Sequence, residues 1–221
     1  MKFLFILCTI FSLFLCGCAT ESSHVVSTEK VQSWNTPYSG PKVLVSVGKF
    51  DNKSTYMNGI FSNGENRLGS QAKTLLVSAL QQTGRFSVLD RENMSEIKQE
   101  AAFGREKQNI KGARYVITGD VTAFGRKNVG DRQLFGILGR GKKQIAYSKV
   151  DLNVVSVDTS QVVFSAQGAG EYALSNREII GFGGTSGYDA TLNSKVLGLA
   201  VREAVNHLQE GLENGSWQSA E

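Results

Sequence analysis

The chain has 221 residues and a formal net charge of +4, and 41% of its residues are hydrophobic. These values predict one ordinary globular domain of about 200 residues. All three cysteines, Cys8, Cys16 and Cys18, lie in the first 18 residues, so residues 19–221 exclude an intrachain disulfide, a thiolate zinc site and a cysteine nucleophile.

The N-terminal segment has the order of a secretory signal peptide. Lys2 precedes an apolar run of 13 residues, 3–15, and small residues follow at 17–19. The run is shorter than the roughly 20 residues of a membrane-spanning helix. We therefore expect residues 1–17 to be a cleaved signal peptide; a buried N-terminal strand or helix is the alternative.

Residues 15–18 resemble the bacterial lipobox, in which a leucine precedes the lipidated cysteine by three positions. Cys18 fits this pattern because the small Gly17 precedes it, whereas the bulky Leu15 precedes Cys16. Acyl chains such as palmitate on Cys18 would anchor the chain, since each buried CH₂ contributes about 0.8 kcal/mol. Ala19 stands where lipoproteins kept at the inner membrane have Asp, so we expect the periplasmic side of the outer membrane. In that compartment the mild positive charge favours anionic envelope components over nucleic acid as partners.

Residues 18–41 are rich in Ser and Thr and end in Pro37, Gly40 and Pro41. This composition predicts a linker between the lipid and a domain over residues 42–214, which is followed by a short tail, 215–221.

From Lys42 onward, strand and helix patterns alternate. Period-two alternation predicts strands over 42–50, 85–90, 113–124 and 145–158. Apolar residues at helical spacing predict helices over 70–83, after Asp90, and over 192–212, with Ser70 and Asp90 as N-caps and Gly84 just beyond the first helix. We therefore predict an α/β layer fold.

Two glycine-rich segments, about 121–148 and 163–189, do not fit a compact core. The second alternates apolar and polar residues over about ten positions, as strands that cross an outer membrane do. It predicts amphipathic hairpins, with these lipid-facing side chains in the second: Phe164, Tyr172, Leu174, Ile180 and Phe182. The alternative is a pair of flexible glycine loops over the α/β core.

Two such hairpins could not stand alone in a bilayer. Their outer strands would leave backbone groups unpaired in hydrocarbon, at several kcal/mol for each group. Bacterial barrels have about 8 strands or more, so several identical copies would have to close into a ring. The hairpins therefore predict a homo-oligomer.

Several stretches occur in a recognisable order: the lipobox, KVLVSVGKF, SQAKTLLVSALQQTGRFSVLDRENM, GARYVITGDVTAFG, KVDLNVVSVDTSQVVFS and the last helix. In this order they resemble the curli production assembly/transport lipoprotein family, from about Cys18 to Leu212. The resemblance implies a periplasmic domain of anticodon-binding-like topology, two amphipathic hairpins in each subunit, and a ring whose strands form one outer-membrane barrel. It also implies ATP-independent passage of unfolded, curli-like polypeptide, helped by accessory envelope proteins.

The resemblance also implies a pore constriction in the loop after the first strand. The family's loop has a Tyr, an Asn four positions later and then a Phe. Tyr56 and Phe61 keep this spacing, whereas Ile60 occupies the Asn position. The alternative is a polar surface loop with one buried aromatic side chain.

Signals for enzyme activity are weak. GILGRGKK, residues 136–143, nearly matches a phosphate-binding loop, but Lys143 stands where a hydroxyl group would bind magnesium. His24 and His207 are the only histidines, and a hydrolase would need a polar pocket that these residues do not assemble. We expect no enzyme activity, cofactor or metal.

Besides the periplasmic hydrolase, which would need such a pocket, two hypotheses of function remain. The first is a ring-shaped outer-membrane pore that exports or assembles unfolded polypeptide. The second is a non-channel periplasmic lipoprotein of the same fold that docks on a cell-envelope or surface-appendage machine.

Overall fold

The structure is a computed structural model that describes residues 29–56, 66–105, 107–132, 140–178 and 192–217. For residues 128–132, 140–144, 174–178 and 192 it describes the backbone alone. The predictions for Cys18, Ile60, Phe61, Ile180 and Phe182 lie outside the described residues, and the one for Leu174 concerns a side chain outside them.

The described chain forms five strands and three helices in a mixed α/β arrangement, which confirms the predicted fold class. In chain order they are β1 (Val43–Asn52), α1 (Arg67–Thr83), β2 (Phe86–Leu89), α2 (Met94–Gly104), β3 (Tyr115–Arg132), β4 (Arg140–Ser156), β5 (Val162–Glu178) and α3 (Leu192–Glu213). None of these helices is long and apolar enough to cross a membrane.

One five-stranded sheet organises the domain, in the order β2-β1-β3-β4-β5. β1 runs parallel to both β2 and β3, whereas β3, β4 and β5 are joined as antiparallel neighbours. The parallel pairs follow from the helical crossovers between β1, β2 and β3, because parallel strands cannot be joined by a tight turn.

The core lies between the sheet and the two helices α1 and α3. α1 buries Ala72, Leu76 and Leu80, which recur every four residues, and α3 buries a matching stripe at Val196, Ala200, Ala204 and Leu208. This spacing places each set on one helical face. α2, in contrast, contributes no buried residue.

α1 begins three residues before the predicted Ser70. The Asn66 side chain caps it, because its Oδ1 accepts a hydrogen bond of 3.0 Å from the backbone N–H of Gly69. The prediction for the other end is confirmed: Gly84 follows the helix with a φ of 70°, in the left-handed region that glycine adopts without strain.

Residues on both sides of the predicted domain pack against it. In the predicted linker, Val31 is buried, and the Arg85 guanidinium donates to the carbonyl of Thr36 at 3.2 Å and lies 4.9 Å from the ring centre of Tyr38. In the predicted tail, Trp217 is only 2% exposed and donates to the Leu208 carbonyl at 3.0 Å. The packed unit therefore extends beyond 42–214 at both ends.

β5 lies unusually close to α3. A Cβ atom on Gly168 would collide with the Ala200 carbonyl oxygen and the Ala204 backbone nitrogen, and one on Gly170 would lie 2.7 Å from the Val196 carbonyl oxygen. These obstacles are helix backbone, which cannot rotate away as a side chain can. Glycine at the two positions therefore sets the distance between the helix and the strand.

We predict that Gly168→Ala destabilises the protein by about 1–3 kcal/mol, the usual cost of overpacking a core. The melting temperature should fall by roughly 2–4 °C for each kcal/mol lost in a domain of this size, measured by circular dichroism. Gly112→Ala is the matched control, because a Cβ atom there meets nothing within 4 Å. Equal melting temperatures for the two variants would contradict the close-contact explanation.

Candidate functional site

Three strands of the core sheet continue past the start of α3 as a β arm, which we define as residues 127–132, 140–145 and 173–178. The register is unbroken along it, from Lys127 paired with Ile145 to Arg132 paired with Arg140, and β4 pairs with β5 over the same length. Six residues at about 3.3 Å each give a length of roughly 20 Å. The arm is thus a direct extension of the core strands.

The arm differs in part from the two predicted hairpins. The first, 121–148, falls on the β3–β4 pair. The outgoing strand of the second, 163–189, is β5, which pairs with β4, so that the arm is a three-stranded part of the five-stranded sheet. The predicted return of the second hairpin lies beyond Glu178, outside the described residues.

The sequence of the arm is strongly basic. Its three segments contain six basic and two acidic residues. Lys142 and Lys143 are successive residues of β4, and because successive residues alternate between the faces of a strand, a basic residue falls on each face. This distribution is visible in the sequence, but the apolar alternation within β5 does not indicate it.

Phe164 and Tyr172 belong to the face of β5 that packs under α3. The Phe164 ring lies 6.2 Å from that of Trp217, and the Lys195 ammonium lies 5.2 Å from the ring centre of Tyr172. Both side chains are partly buried against the core. The predicted alternation is present, but the structure corrects the lipid-facing assignment of these two residues, because α3 covers the apolar side.

Tyr56 joins three elements at the base of the arm, together with Phe124, Arg126 and Asn193. Its ring lies 4.7 Å from that of Phe124. Its hydroxyl accepts a 3.0 Å hydrogen bond from the Asn193 amide, whose oxygen in turn accepts a 2.9 Å bond from Nε of Arg126. We call these four residues the arm-base junction; it connects the end of β1, the start of the arm and the start of α3.

Two asparagines hold the chain that leads from β1 into the junction. The Asn52 amide donates to the Tyr56 carbonyl at 2.8 Å, and its oxygen accepts from the Ser54 hydroxyl at 2.6 Å. The Asn66 amide donates to the Phe50 carbonyl at 2.6 Å. The chain is therefore held in place at Tyr56 and at Asn66, the described residues on either side of 57–65. Sequence reasoning missed both asparagines, because their partners are set by the folded loop.

The end of β1 also carries a charge cluster. The hydrogen bond from Lys49, whose ammonium lies 2.8 Å from the carboxylate, holds the pKa of Asp51 below its usual value, and Lys53 at 3.4 Å acts in the same direction. The same contact raises the pKa of Lys49. Asp51 is therefore ionised at neutral pH and accepts hydrogen bonds beside the junction.

The junction contains a phenol, an amide and a guanidinium, whose hydrogen bonds connect chain segments. Across the described ranges, no three His, Cys, Asp or Glu side chains are placed to hold a metal ion.

The chain belongs to the family described as the curli production assembly/transport component CsgG, whose family model matches residues 27–220. This confirms the resemblance found in the sequence. A curated protein of Neisseria meningitidis serogroup B, named as a candidate lipoprotein, is 67% identical over 204 residues, which are 92% of each chain.

Solved structures resemble this fold more distantly. Protein XCC0632 of Xanthomonas campestris is 13% identical with a TM-score of 0.44, covering 85% of this chain and 96% of that one. Lipoprotein GNA1162 of Neisseria meningitidis is 18% identical with a TM-score of 0.37, covering 77% and 99%. The PelC dodecamer of Paraburkholderia phytofirmans is 15% identical with a TM-score of 0.36, covering 76% and 93%.

We predict a measurable energetic coupling between Tyr56 and Asn193. Tyr56→Phe removes one hydrogen bond and should lower the free energy of unfolding by about 0.5–1.5 kcal/mol. In a double-mutant cycle with Asn193→Ala, the coupling energy should exceed about 0.5 kcal/mol, as it does for residues in contact. Urea denaturation provides the measurement.

Tyr38→Phe is the matched control for this cycle, because its hydroxyl makes an exposed 3.3 Å bond to the Pro41 carbonyl. It should change stability by less than about 0.5 kcal/mol. Additive effects of Tyr56→Phe and Asn193→Ala would show that the junction does not act as a unit.

Proposed function

We propose that this protein is a non-enzymatic lipoprotein anchored through Cys18 on the periplasmic side of the outer membrane. Several copies form a ring, and the ring exports or assembles unfolded, curli-like polypeptide without ATP and with the help of accessory envelope proteins. The observation that carries the proposal is the β arm, which continues the sheet where the family resemblance implies membrane hairpins.

Lipidation is supported by the residues around Cys18 and by the name of the Neisseria meningitidis relative, which has 67% identity to this chain. The acyl chains and a mildly basic surface both favour a membrane boundary. The signal peptide and Ala19 support the outer membrane as the destination.

Ring formation is supported by the edge of β5. This strand is 17 residues long and, among the strands that the structure describes, it is the edge strand opposite β2. A long edge strand presents unpaired N–H and C=O groups to another chain, and pairing between neighbouring copies would satisfy them. A ring forms when the β5 edge of one copy pairs with a different edge of the next copy, because such a heterologous contact can close into cyclic symmetry.

The constriction of the proposed pore is the 57–65 loop with Ile60 and Phe61. Tyr56 would then serve as its base, since its ring and hydroxyl are held in the arm-base junction. Because the chain is held at Tyr56 and Asn66 in every copy, the 57–65 segments of a ring would all lie at the same distance from the pore axis. An aromatic constriction contacts unfolded chains of varied sequence, because apolar contact is non-directional.

The charges of the arm favour a second candidate function. Basic residues on both faces are costly in hydrocarbon, so an arm that stays outside the bilayer suits a non-channel lipoprotein. Such a protein would use the arm to dock on an acidic surface of a cell-envelope or surface-appendage machine.

Electron microscopy of the lipidated protein extracted in detergent separates the two functions. We expect rings with a central hole for the pore. Monomers would contradict the pore and favour the docking lipoprotein, whereas the same preparation of Cys18→Ser reports whether assembly needs the lipid.

Conductance tests the constriction. In planar bilayers, Phe61→Ala should raise the single-channel conductance severalfold, because removing the ring widens the narrowest point of the pore. Phe103→Ala is the control, since Phe103 lies on α2 with 71% of its surface exposed and should leave conductance unchanged. If Phe61→Ala also leaves it unchanged, residues 57–65 do not form the constriction.

A further inference from the structure

An apolar groove of about 600 Å³ runs between α1 and α3. Leu75 and Ala79 of α1 form one wall, and Leu199 of α3 and Tyr172 of β5 form the other. Arg202 also lines the groove. The groove lies outside the arm-base junction, and the proposed function makes no use of it.

The described chain begins at this groove. Glu29 lines it and forms an ion pair with Arg202. Two residues later Val31 is 3% exposed, and the Gln32 N–H donates to the Asn206 side chain at 3.2 Å. The strap formed by residues 29–36 thus follows α3 toward its C-terminal end, so the chain before Glu29 enters from the side of the groove.

We propose that Val25 and Val26 occupy the groove between α1 and α3. They are the only residues between Ala19 and Glu29 with a branched aliphatic side chain. Most of the groove surface is apolar, although polar side chains such as Ser78 and Gln82 also line it. Val26 precedes Glu29 by three residues, which span at most about 10 Å. Val26 therefore stays within reach of the groove at whose edge Glu29 is held.

The docking shortens the free chain segment between the membrane anchor and the domain. If Cys18 is lipidated, which rests on the proposed function, only residues 19–24 remain free. Six extended residues reach about 20 Å. The side of the domain that carries the groove then faces the membrane, and the domain cannot rotate freely about its anchor.

Engineered disulfides test the docking. In the mature chain with Cys18→Ser no native thiol remains, so cysteines introduced at two sites react only with each other. Val26→Cys with Ser78→Cys joins the leader to the groove, which Ser78 lines. Val26→Cys with Ser165→Cys is the matched control, because Ser165 is exposed on β5 and alternates with the core-facing Phe164 and Ala166.

Under mild oxidation the groove pair should form a monomeric disulfide about tenfold faster than the control pair, because docking raises the effective concentration of the two thiols. Equal rates in folded protein would overturn the proposal. Disulfide-linked dimers would overturn it too, since they would place the leader of a second copy in the groove. Absence of the cross-link together with a co-purified lipid, detected by mass spectrometry, would assign the groove to an acyl chain.

Proteolysis provides a measurement that is independent of disulfide geometry. Val25→Asp with Val26→Asp should make trypsin cleavage after Lys30 several times faster, because the undocked leader no longer holds the strap in place. Ser22→Asp with Ser23→Asp adds the same charge and should leave the rate unchanged. Equal acceleration in both variants would overturn the proposal. Neither experiment uses a membrane or a ring, so its failure leaves the proposed pore intact, and monomers by electron microscopy leave the docking intact.

Discussion

The contact of β5 with α3 determines much of this structure. Where glycine at 168 and 170 faces the helix, the backbones approach more closely than any side chain would allow. This contact fixes the position of α3 along β5. It thereby places Asn193 beside Tyr56, and Arg202 beside Glu29. The arm-base junction and the N-terminal strap are both aligned by the same pair of glycines.

The end of the strap and the C-terminal end of the described chain meet at the opposite end of the domain. The Trp217 ring stacks 6.0 Å from that of Phe86 and meets Tyr115 edge-on at 5.3 Å. Nearby, the nearly buried Arg85 donates to Glu213 at 2.9 Å. A buried guanidinium is tolerated only when its donors find partners. These contacts tie the strap, the start of β2 and the end of α3 into one unit.

The sequence predicted the helices and strands better than it predicted which of their faces are covered. Periodicity identified β1, α1 and α3, and even the alternation within β5, because strand and helix geometry repeat locally. It could not show which side of β5 is covered, since that depends on a helix some 30 residues away in the chain. Trp217 was missed for a related reason, because the rings of Phe86 and Tyr115 that it contacts belong to distant segments. Asn52 and Asn66 were missed because the folded loop sets their partners. The spacing of Tyr56 and Phe61 was visible, but the role of Tyr56 in the junction was not.

The pairing of β3 with β4 continues from the core into the β arm, with one register shift between Val121 and Ala123, and this continuity has a mechanical consequence. β3 and β4 are paired from Tyr115 to Arg132, and their hydrogen bonds lie perpendicular to the strands. A force along the arm loads these bonds together in shear rather than opening them one after another. Because β3 is also paired with β1, the load passes into the centre of the sheet. A displacement of the arm would therefore be transmitted to the arm-base junction, which includes Tyr56.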